Sequence, residues 1–134
     1  MKARVLLLAL GLSRLLMGDP PPVEALDPRE QRIVHDLGEI SMRDRWEGAG
    51  ELQNAGEECL WVRSVSTSCG CVEVEVDMVP IYPGEALPFS LKIHLAGRVG
   101  ALQEQATFLL EAEDRDPAKR RVVEVWVSAH IRPA

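Results

Sequence analysis

The chain has 134 residues, of which 46% are hydrophobic and 27% are charged. This length suits one domain with short appendages, and the composition is typical of a folded globular protein. The formal net charge of -6 argues against a nucleic-acid partner, because phosphate binding needs clustered cations.

The first 25 residues have the pattern of an export leader. A basic start with Lys2 and Arg4 precedes an apolar stretch over residues 5–12, as in secretory signal peptides. A membrane-spanning helix needs about 20 apolar residues, so we expect no membrane span in the mature chain. We predict a leader and linker over residues 1–25, a folded domain over residues 26–134, and a periplasmic or secreted location. The alternative is a cytoplasmic protein with an amphipathic N-terminal helix.

The folded part begins with a period-two pattern of apolar residues, which indicates β-strands. Residues 33–38 predict a first strand. Residues 45–53 make a poor strand, because Gly48 and Gly50 dilute the apolar pattern.

A turn at residues 54–56 separates this part from two clearer strands, because Asn and Gly tolerate positive φ. Residues 60–65 carry an apolar strand pattern at Leu60, Val62 and Val65, and residues 72–77 alternate cleanly between apolar and acidic side chains. The second of these strands would present an acidic face to water. Its acidic residues are Glu73, Glu75 and Asp77.

The second half of the chain continues the alternation. Residues 80–83 contain two prolines and are expected to end the preceding strand in a turn. Further strands are predicted at residues 87–95, 106–110 and 123–127, with a loop at 96–100 and a turn at 114–119. Six to seven short strands without a long helix predict an antiparallel β-sandwich.

Four short segments resemble the pattern of a known family. They are Asp36-Leu37-Gly38, Asn54-Ala55-Gly56, the run from Leu60 to Ser68-Cys69-Gly70-Cys71, and Pro83-Gly84-Glu85. The chain resembles a family of bacterial exported domains of unknown function, over roughly residues 33–133. The Ser-Cys-Gly-Cys run is the most specific part of the resemblance.

The resemblance implies an immunoglobulin-like β-sandwich of about seven strands, similar to ASH and major-sperm-protein domains. Such domains usually hold partners, so it implies a non-catalytic interaction or accessory module of the cell envelope, with no cofactor. A protein partner would bind by strand addition at an open sheet edge. The chain departs from the family pattern at Gly50, Cys59 and Val72, where an aromatic residue, proline and threonine are usual.

The three cysteines cannot all pair within one chain. On a regular strand the Cα atoms of Cys69 and Cys71 would lie about 6.6 Å apart, near the upper limit for a disulfide. Gly70 permits a bend that brings the sulfurs closer. A bond from Cys59 to either residue would instead close a loop of about a dozen residues.

Four hypotheses for Cys69, Cys71 and Cys59 stay open. The thiols are structural, bind a soft metal such as copper(I) or zinc, form a redox pair, or pair with another chain. Zinc favours four ligands, and the sequence places His35, His94 and His130 at no ligand spacing. A thiol-based metal or redox protein is therefore the alternative function, while no catalytic residue and no metal ligand is assigned.

The remaining candidates have simpler explanations. Glu73, Glu75 and Asp77 could hold a cation, but carboxylates from a single strand more often form a solvated face. An exposed tryptophan would be a binding anchor, whereas packing against a neighbouring strand is the alternative. The tryptophans are Trp46, Trp61 and Trp126.

Overall fold

A computed structural model describes residues 30–133, which fold almost entirely into β-strands. The eight strands of this part of the chain are β1 (Glu30–Ser41), β2 (Arg45–Gln53), β3 (Leu60–Thr67), β4 (Val72–Val76), β5 (Pro80–Ile81), β6 (Ala86–His94), β7 (Gly100–Ala112) and β8 (Arg121–Arg132). A short 3-10 turn at Pro117–Lys119 joins the last two strands. Within residues 30–133, no helix has the length and apolarity needed to cross a bilayer.

The strands form two sheets that pack face to face. The larger sheet has the order β1-β8-β7-β3-β5, and the smaller one has the order β2-β6-β4. β1 runs parallel to β8, and the other pairs are antiparallel. The predicted all-β, immunoglobulin-like sandwich is confirmed, with the two-residue β5 as the strand beyond the expected seven.

The core lies between the sheets and follows the two-residue alternation of the sequence. β6 and β7 each bury every second side chain, and Phe89 and Phe108 meet across the interface with ring centroids 4.9 Å apart. Burial of each such side chain contributes about 1.5–3 kcal/mol relative to exposure, before entropy losses. The central strands therefore hold the two sheets together.

The prediction of a poor second strand was wrong, because β2 pairs with β6 along its whole length. Its glycines relieve crowding on the inner face of the sheet. A Cβ atom at Gly50 would lie 2.6 Å from the ring of Phe89, and one at Gly48 would overlap the ring of Trp46. Glycine marks positions where a neighbouring ring lies against the strand backbone, and it does not end the strand.

The prolines at residues 80–83 do not exclude pairing either. Pro80–Ile81 forms β5 and pairs with the first two residues of β3 at the border of the larger sheet. An edge strand tolerates proline, because the missing N–H donor is not needed there. β1 and β7 also extend beyond their predicted ranges, and the loop predicted at 96–100 ends one residue earlier at the start of β7.

A buried asparagine secures one end of the sandwich. Asn54 is only 2% exposed, and its side-chain amide donates to the carbonyl oxygens of Glu58 and Ile81 at 2.7 and 2.8 Å. Its side-chain oxygen accepts a hydrogen bond from the Gly56 N–H at 3.0 Å. Residues 54–56 therefore form the predicted turn, and the Asn54 side chain also connects this turn to a distant part of the chain.

The backbone of Asn54 joins this turn to the Pro-Gly-Glu segment. Its N–H donates to the Glu85 carbonyl at 3.0 Å, and its carbonyl accepts from the Gly84 N–H at 2.8 Å. Gly84 has a φ of 85°, which favours glycine. We call Asn54 with residues 81–85 the Asn54 clasp, and it links two of the short sequence motifs at one end of the fold.

Replacing Asn54 with alanine should destabilise the protein. Asn54→Ala leaves two inward-facing carbonyls without their donor, so the free energy of unfolding should fall by about 2–4 kcal/mol. Urea unfolding followed by circular dichroism measures this change. The neighbouring, exposed Gln53→Ala is the matched control, with an expected change within about 0.5 kcal/mol. Equal changes for the two variants would contradict a stabilising role of the clasp.

Candidate functional site

The Cys-Gly-Cys run forms a turn rather than part of a strand. It connects β3 to β4, and the Val72 N–H donates to the Cys69 carbonyl at 3.1 Å. The bend brings the Cα atoms of Cys69 and Cys71 to 5.1 Å, and a disulfide joins their sulfurs. The strand spacing of about 6.6 Å does not apply here, because the chain turns at Gly70.

Cys59 does not belong to this group. It is a free thiol directly before β3, whereas Cys69 and Cys71 follow the far end of that strand. Eight strand residues span about 26 Å. The structure therefore divides the three cysteines into a disulfide pair and a distant single thiol.

A buried glutamate lies beside the disulfide. Glu104 of β7 is 9% exposed, and its Oε1 accepts a hydrogen bond from the Ser68 hydroxyl at 2.6 Å. The Ser68 hydroxyl oxygen also accepts from the Gln105 N–H at 2.8 Å. The Sγ atom of Cys71 is 3.8 Å from Glu104 Oε2. The carboxylate thus ties the turn to the neighbouring strand.

The sequence motifs do not point to Glu104 as a site residue. The residue occupies an inward position in the alternation Leu102, Glu104, Ala106, Phe108, where all the other side chains are apolar. A buried carboxylate needs hydrogen bonds or a cation to offset its lost hydration. An acidic residue in the core register was therefore the feature that could have revealed it.

An arginine completes the site. Arg98 follows β6, and its Nη1 donates to Glu104 Oε2 at 3.1 Å and lies 3.6 Å from Cys71 Sγ. The Cys71 N–H donates to Cys69 Sγ at 3.0 Å. Each sulfur therefore has one N–H donor beside it, and one of these donors carries a full positive charge. We call Ser68, Cys69, Cys71, Arg98 and Glu104 the thiol site.

In its disulfide form the thiol site is poorly suited to hold a metal cation. One potential ligand atom from each of Cys69, Cys71 and Glu104 lies within 4.8 Å of the others, and this group contains no histidine. The two sulfurs are bonded to each other, so neither is a thiolate ligand. Arg98 already brings a positive charge to both the carboxylate and Cys71, which would repel a metal cation.

The disulfide contributes little to the stability of the fold. It encloses a single intervening residue. In the chain-entropy model such a small ring stabilises the native state by about 1.6 kcal/mol, compared with about 3 kcal/mol for a loop of 15 residues. A larger structural contribution would require cysteines farther apart in the sequence.

The acidic face of β4 is engaged by its neighbour β6. Glu73 contacts the His94 ring, and Glu75 accepts a hydrogen bond from Ser90 at 3.4 Å. The hydrogen bond and charge of His94 hold the pKa of Glu73 below its ordinary value. These carboxylates lie along a single strand at the surface, which supports the solvated face rather than a cation site.

The tryptophans pack against neighbouring side chains. Trp46 meets His35 of β1 edge to face, with ring centroids 5.6 Å apart. Arg32 stacks over Trp126 at 5.4 Å, and Arg63 lies 5.7 Å from the ring of Trp61. All three tryptophans are partly buried, which agrees with packing between strands and not with exposed binding anchors.

The contact between Glu73 and His94 predicts a specific pH dependence. Because the pKa of Glu73 is lowered in the folded state, its stabilising contribution is present above the ordinary glutamate value and is lost as the pH falls through the folded value. Carboxyl-carbon NMR titration should place the Glu73 midpoint below that of an ordinary glutamate. His94→Ala should raise this midpoint.

Asp114 provides the internal control for that titration. Its pKa is lowered by a hydrogen bond from Lys119, far along the chain from His94. The His94→Ala substitution should leave the Asp114 midpoint where it is. A Glu73 midpoint that does not move in the variant would show that His94 is not the cause.

Three solved structures of similar fold have low sequence identity to the chain. The VesB protease of Vibrio cholerae matches with a TM-score of 0.63 and 11% identity, over 74% of this chain and 30% of the protease chain. A Porphyromonas gingivalis protein of unknown function matches with a TM-score of 0.53 and 18% identity, over 79% of this chain and 50% of that chain. The ASH / PapD-like domain 7 of human CEP192 matches with a TM-score of 0.55 and 12% identity, over 100% of this chain and 98% of that chain.

These likenesses establish the fold alone, because the identities are low. The chain spans about a third of the first structure and half of the second. No curated protein matches the chain in sequence. Residues 29–123 match the family model described as a protein of unknown function, DUF1573. The chain therefore belongs to the DUF1573 family.

Proposed function

We propose that the domain is a non-catalytic interaction module that binds an extended segment of a partner protein along the free edge of β4. The observation that carries this proposal is the unpaired side of β4 in the smaller sheet. Within residues 30–133, β4 pairs with β6 on one side and with no strand on the other. Unpaired backbone groups at a sheet edge are a template for a guest strand.

The hydrogen-bond register identifies the groups that a guest would meet. The His94 N–H donates to the Cys71 carbonyl at 2.9 Å, and antiparallel pairs alternate between bonded and non-bonded positions. The backbone groups of Glu73 and Glu75 therefore bond to β6. Those of Val74 and Val76 point toward the free edge.

The unequal widths of the sheets leave room beside this edge. The smaller sheet has three strands against five, and its border strand β4 contacts β7 and β3. β5 is the next strand of the larger sheet and continues it past β3. The inward-pointing Val74 and Val76 are only partly buried. A guest strand with apolar residues on its inner face would cover them and extend the core.

Exposed apolar side chains lie in the segment that follows β4 along the chain. The segment between β4 and β6 includes Met78, Val79 and Tyr82, which are 60%, 44% and 55% exposed. Large apolar side chains that share a short exposed segment are typical of interaction surfaces. A bound partner would remove this surface from water.

The charges of β4 define the chemistry of the guest. Glu73 and Glu75 of β4, and Asp77 directly after the strand, are exposed and alternate with the inward valines. Opposite charges on directly opposed residues of neighbouring strands stabilise the pairing. The partner segment is therefore an extended stretch in which apolar residues alternate with lysine or arginine.

The first strand offers a less suitable edge. The register of β1 with β8 shifts between Asp36 and Glu39, and Gly38 adopts a φ of 65° there. Such irregularities in edge strands oppose the addition of another strand. β4 has no register shift in its pairing with β6.

The Cys69–Cys71 bond supports the extracytoplasmic location that the leader pattern predicts. Disulfides persist in oxidising compartments and are rare in the cytosol. The bond also immediately precedes β4, so it lies beside the proposed binding edge.

A peptide titration tests the proposal. The probe is a peptide of about nine residues that alternates lysine with valine, capped at both ends. Two-dimensional NMR should show saturable shifts at the Val74 and Val76 amides. Val74→Pro should weaken binding about thirtyfold. The substitution removes the Val74 N–H donor, and the proline ring blocks a second hydrogen bond between the guest strand and this edge, at about 1 kcal/mol for each bond. It should leave the β6 ladder in place, since the Val74 N–H does not bond to β6.

Two controls make the result decisive. A peptide with glutamate in place of lysine should bind at least about tenfold more weakly. Val74→Thr keeps the edge N–H and should retain binding, which separates the backbone contact from a general change at this position. Equal binding by Val74→Pro and the wild type, or shifts confined to β1 and β2, would exclude strand addition at β4.

A further inference from the structure

We propose that the thiol site exchanges its disulfide with an exposed dithiol of another protein. The Cys69–Cys71 bond is the oxidised form of this site. The inference is independent of the proposed binding along β4, because it rests on residues of the β3–β4 turn, β7 and the loop after β6. It selects the redox hypothesis from those left open by the sequence.

The disulfide is open to an incoming thiolate. Cys69 and Cys71 are both partly exposed, and Gly70 between them is exposed. Apart from Cys69 and Cys71 themselves, no other residue between 30 and 133 has an atom within 4 Å of the position that a Gly70 Cβ would occupy. A partner can therefore approach the turn without displacing part of the fold.

The surroundings of Cys71 make it the leaving sulfur. The Arg98 guanidinium lies 3.6 Å from Cys71 Sγ, where it would stabilise the negative charge that appears when the disulfide breaks. Glu104 Oε2 lies 3.8 Å from the same sulfur, but its negative charge is paired with Arg98 at 3.1 Å. A thiol with a stabilised thiolate leaves faster in exchange reactions. The attack is therefore directed to Cys69.

Glu104 positions the arginine rather than taking part in the bond exchange. Its buried carboxylate accepts hydrogen bonds from both Arg98 and Ser68. These contacts fix the guanidinium beside Cys71 and anchor the turn to β7. A surface arginine without this anchor would sample many rotamers and would spend little time near the sulfur.

The reaction balances with a protein dithiol as the reductant. One partner thiolate attacks Cys69 Sγ, so that a mixed disulfide forms while the Cys69–Cys71 bond breaks and its electron pair leaves on Cys71. The second partner thiolate then attacks the partner sulfur of the mixed disulfide, which forms the partner's disulfide and releases Cys69 as a thiolate. Two electrons pass to the domain, and solvent protons convert the two thiolates to thiols.

Dithiothreitol serves as the dithiol probe for this proposal. The oxidised full-length protein is mixed with the probe, and alkylation followed by mass spectrometry counts the reduced molecules over time. Arg98→Met removes the charge and keeps the length of the side chain, so reduction should slow about threefold. Arg98→Lys keeps the charge and should restore most of the rate.

The pH dependence of alkylation in the reduced protein provides a second readout. If Arg98 only stabilised the fold, its substitution would not change this pH dependence. The rate of Cys71 alkylation by iodoacetamide should have its pH midpoint higher in Arg98→Met than in the wild type, because the neighbouring positive charge is lost. Cys59 lies at the other end of β3 and serves as the reference within the same molecule. Its alkylation rate should be the same in all variants.

Two results would overturn the proposal. Identical reduction rates and alkylation profiles for the wild type, Arg98→Met and Arg98→Lys would mean that the disulfide is a structural cross-link. Stoichiometric binding of copper(I) or zinc by the reduced wild-type protein, with loss of exchange, would identify a metal site instead. Peptide binding along β4 should persist in Arg98→Met, so failure here is distinguishable from failure of the proposed interaction function.

Discussion

A three-stranded sheet packs on a five-stranded sheet, and this packing determines which strands are covered and which edge stays open. Alternating apolar residues make this packing possible, and the contact between Phe89 and Phe108 lies at its centre. Because the sheets differ in width, the core is well covered around β6 and β7 and thinner at β4. The same difference leaves one side of β4 without a paired strand among residues 30–133, which is the basis of the proposed interaction.

Three of the four short motifs of the chain form two groups at opposite ends of the sandwich. Asn54 and Gly84 meet in the clasp at one end, where their hydrogen bonds are internal and buried. Cys69 and Cys71 lie at the other end in an exposed turn, where the disulfide closes only a small ring. A stabilising role fits the first group and a chemical role fits the second, because reactivity requires access and a tunable charge.

The sequence was a good guide to the strands and a poor guide to the site. Period-two alternation located the buried strands, since one face of each had to meet the core. The alternation did not predict β2, because aromatic rings pack against the strand backbone at Gly48 and Gly50 and leave no space for a side chain there. The alternation also did not predict that Glu104 and Arg98 lie beside the cysteines. These residues are about 30 positions apart in the sequence, and only the order of the strands in the fold brings them together. Gly70 permits a bend between the cysteines, but tertiary contacts decide whether the bend forms.

Amide hydrogen exchange along β4 tests most directly whether the sheet ends there. We expect alternating exchange rates: the amides of Glu73 and Glu75 should exchange at least about a hundredfold more slowly than those of Val74 and Val76, because only the amides of Glu73 and Glu75 bond to β6. Measurement by NMR on the full chain resolves each of the four amides. Slow exchange at all four would mean that another segment already occupies this edge, which would contradict the account.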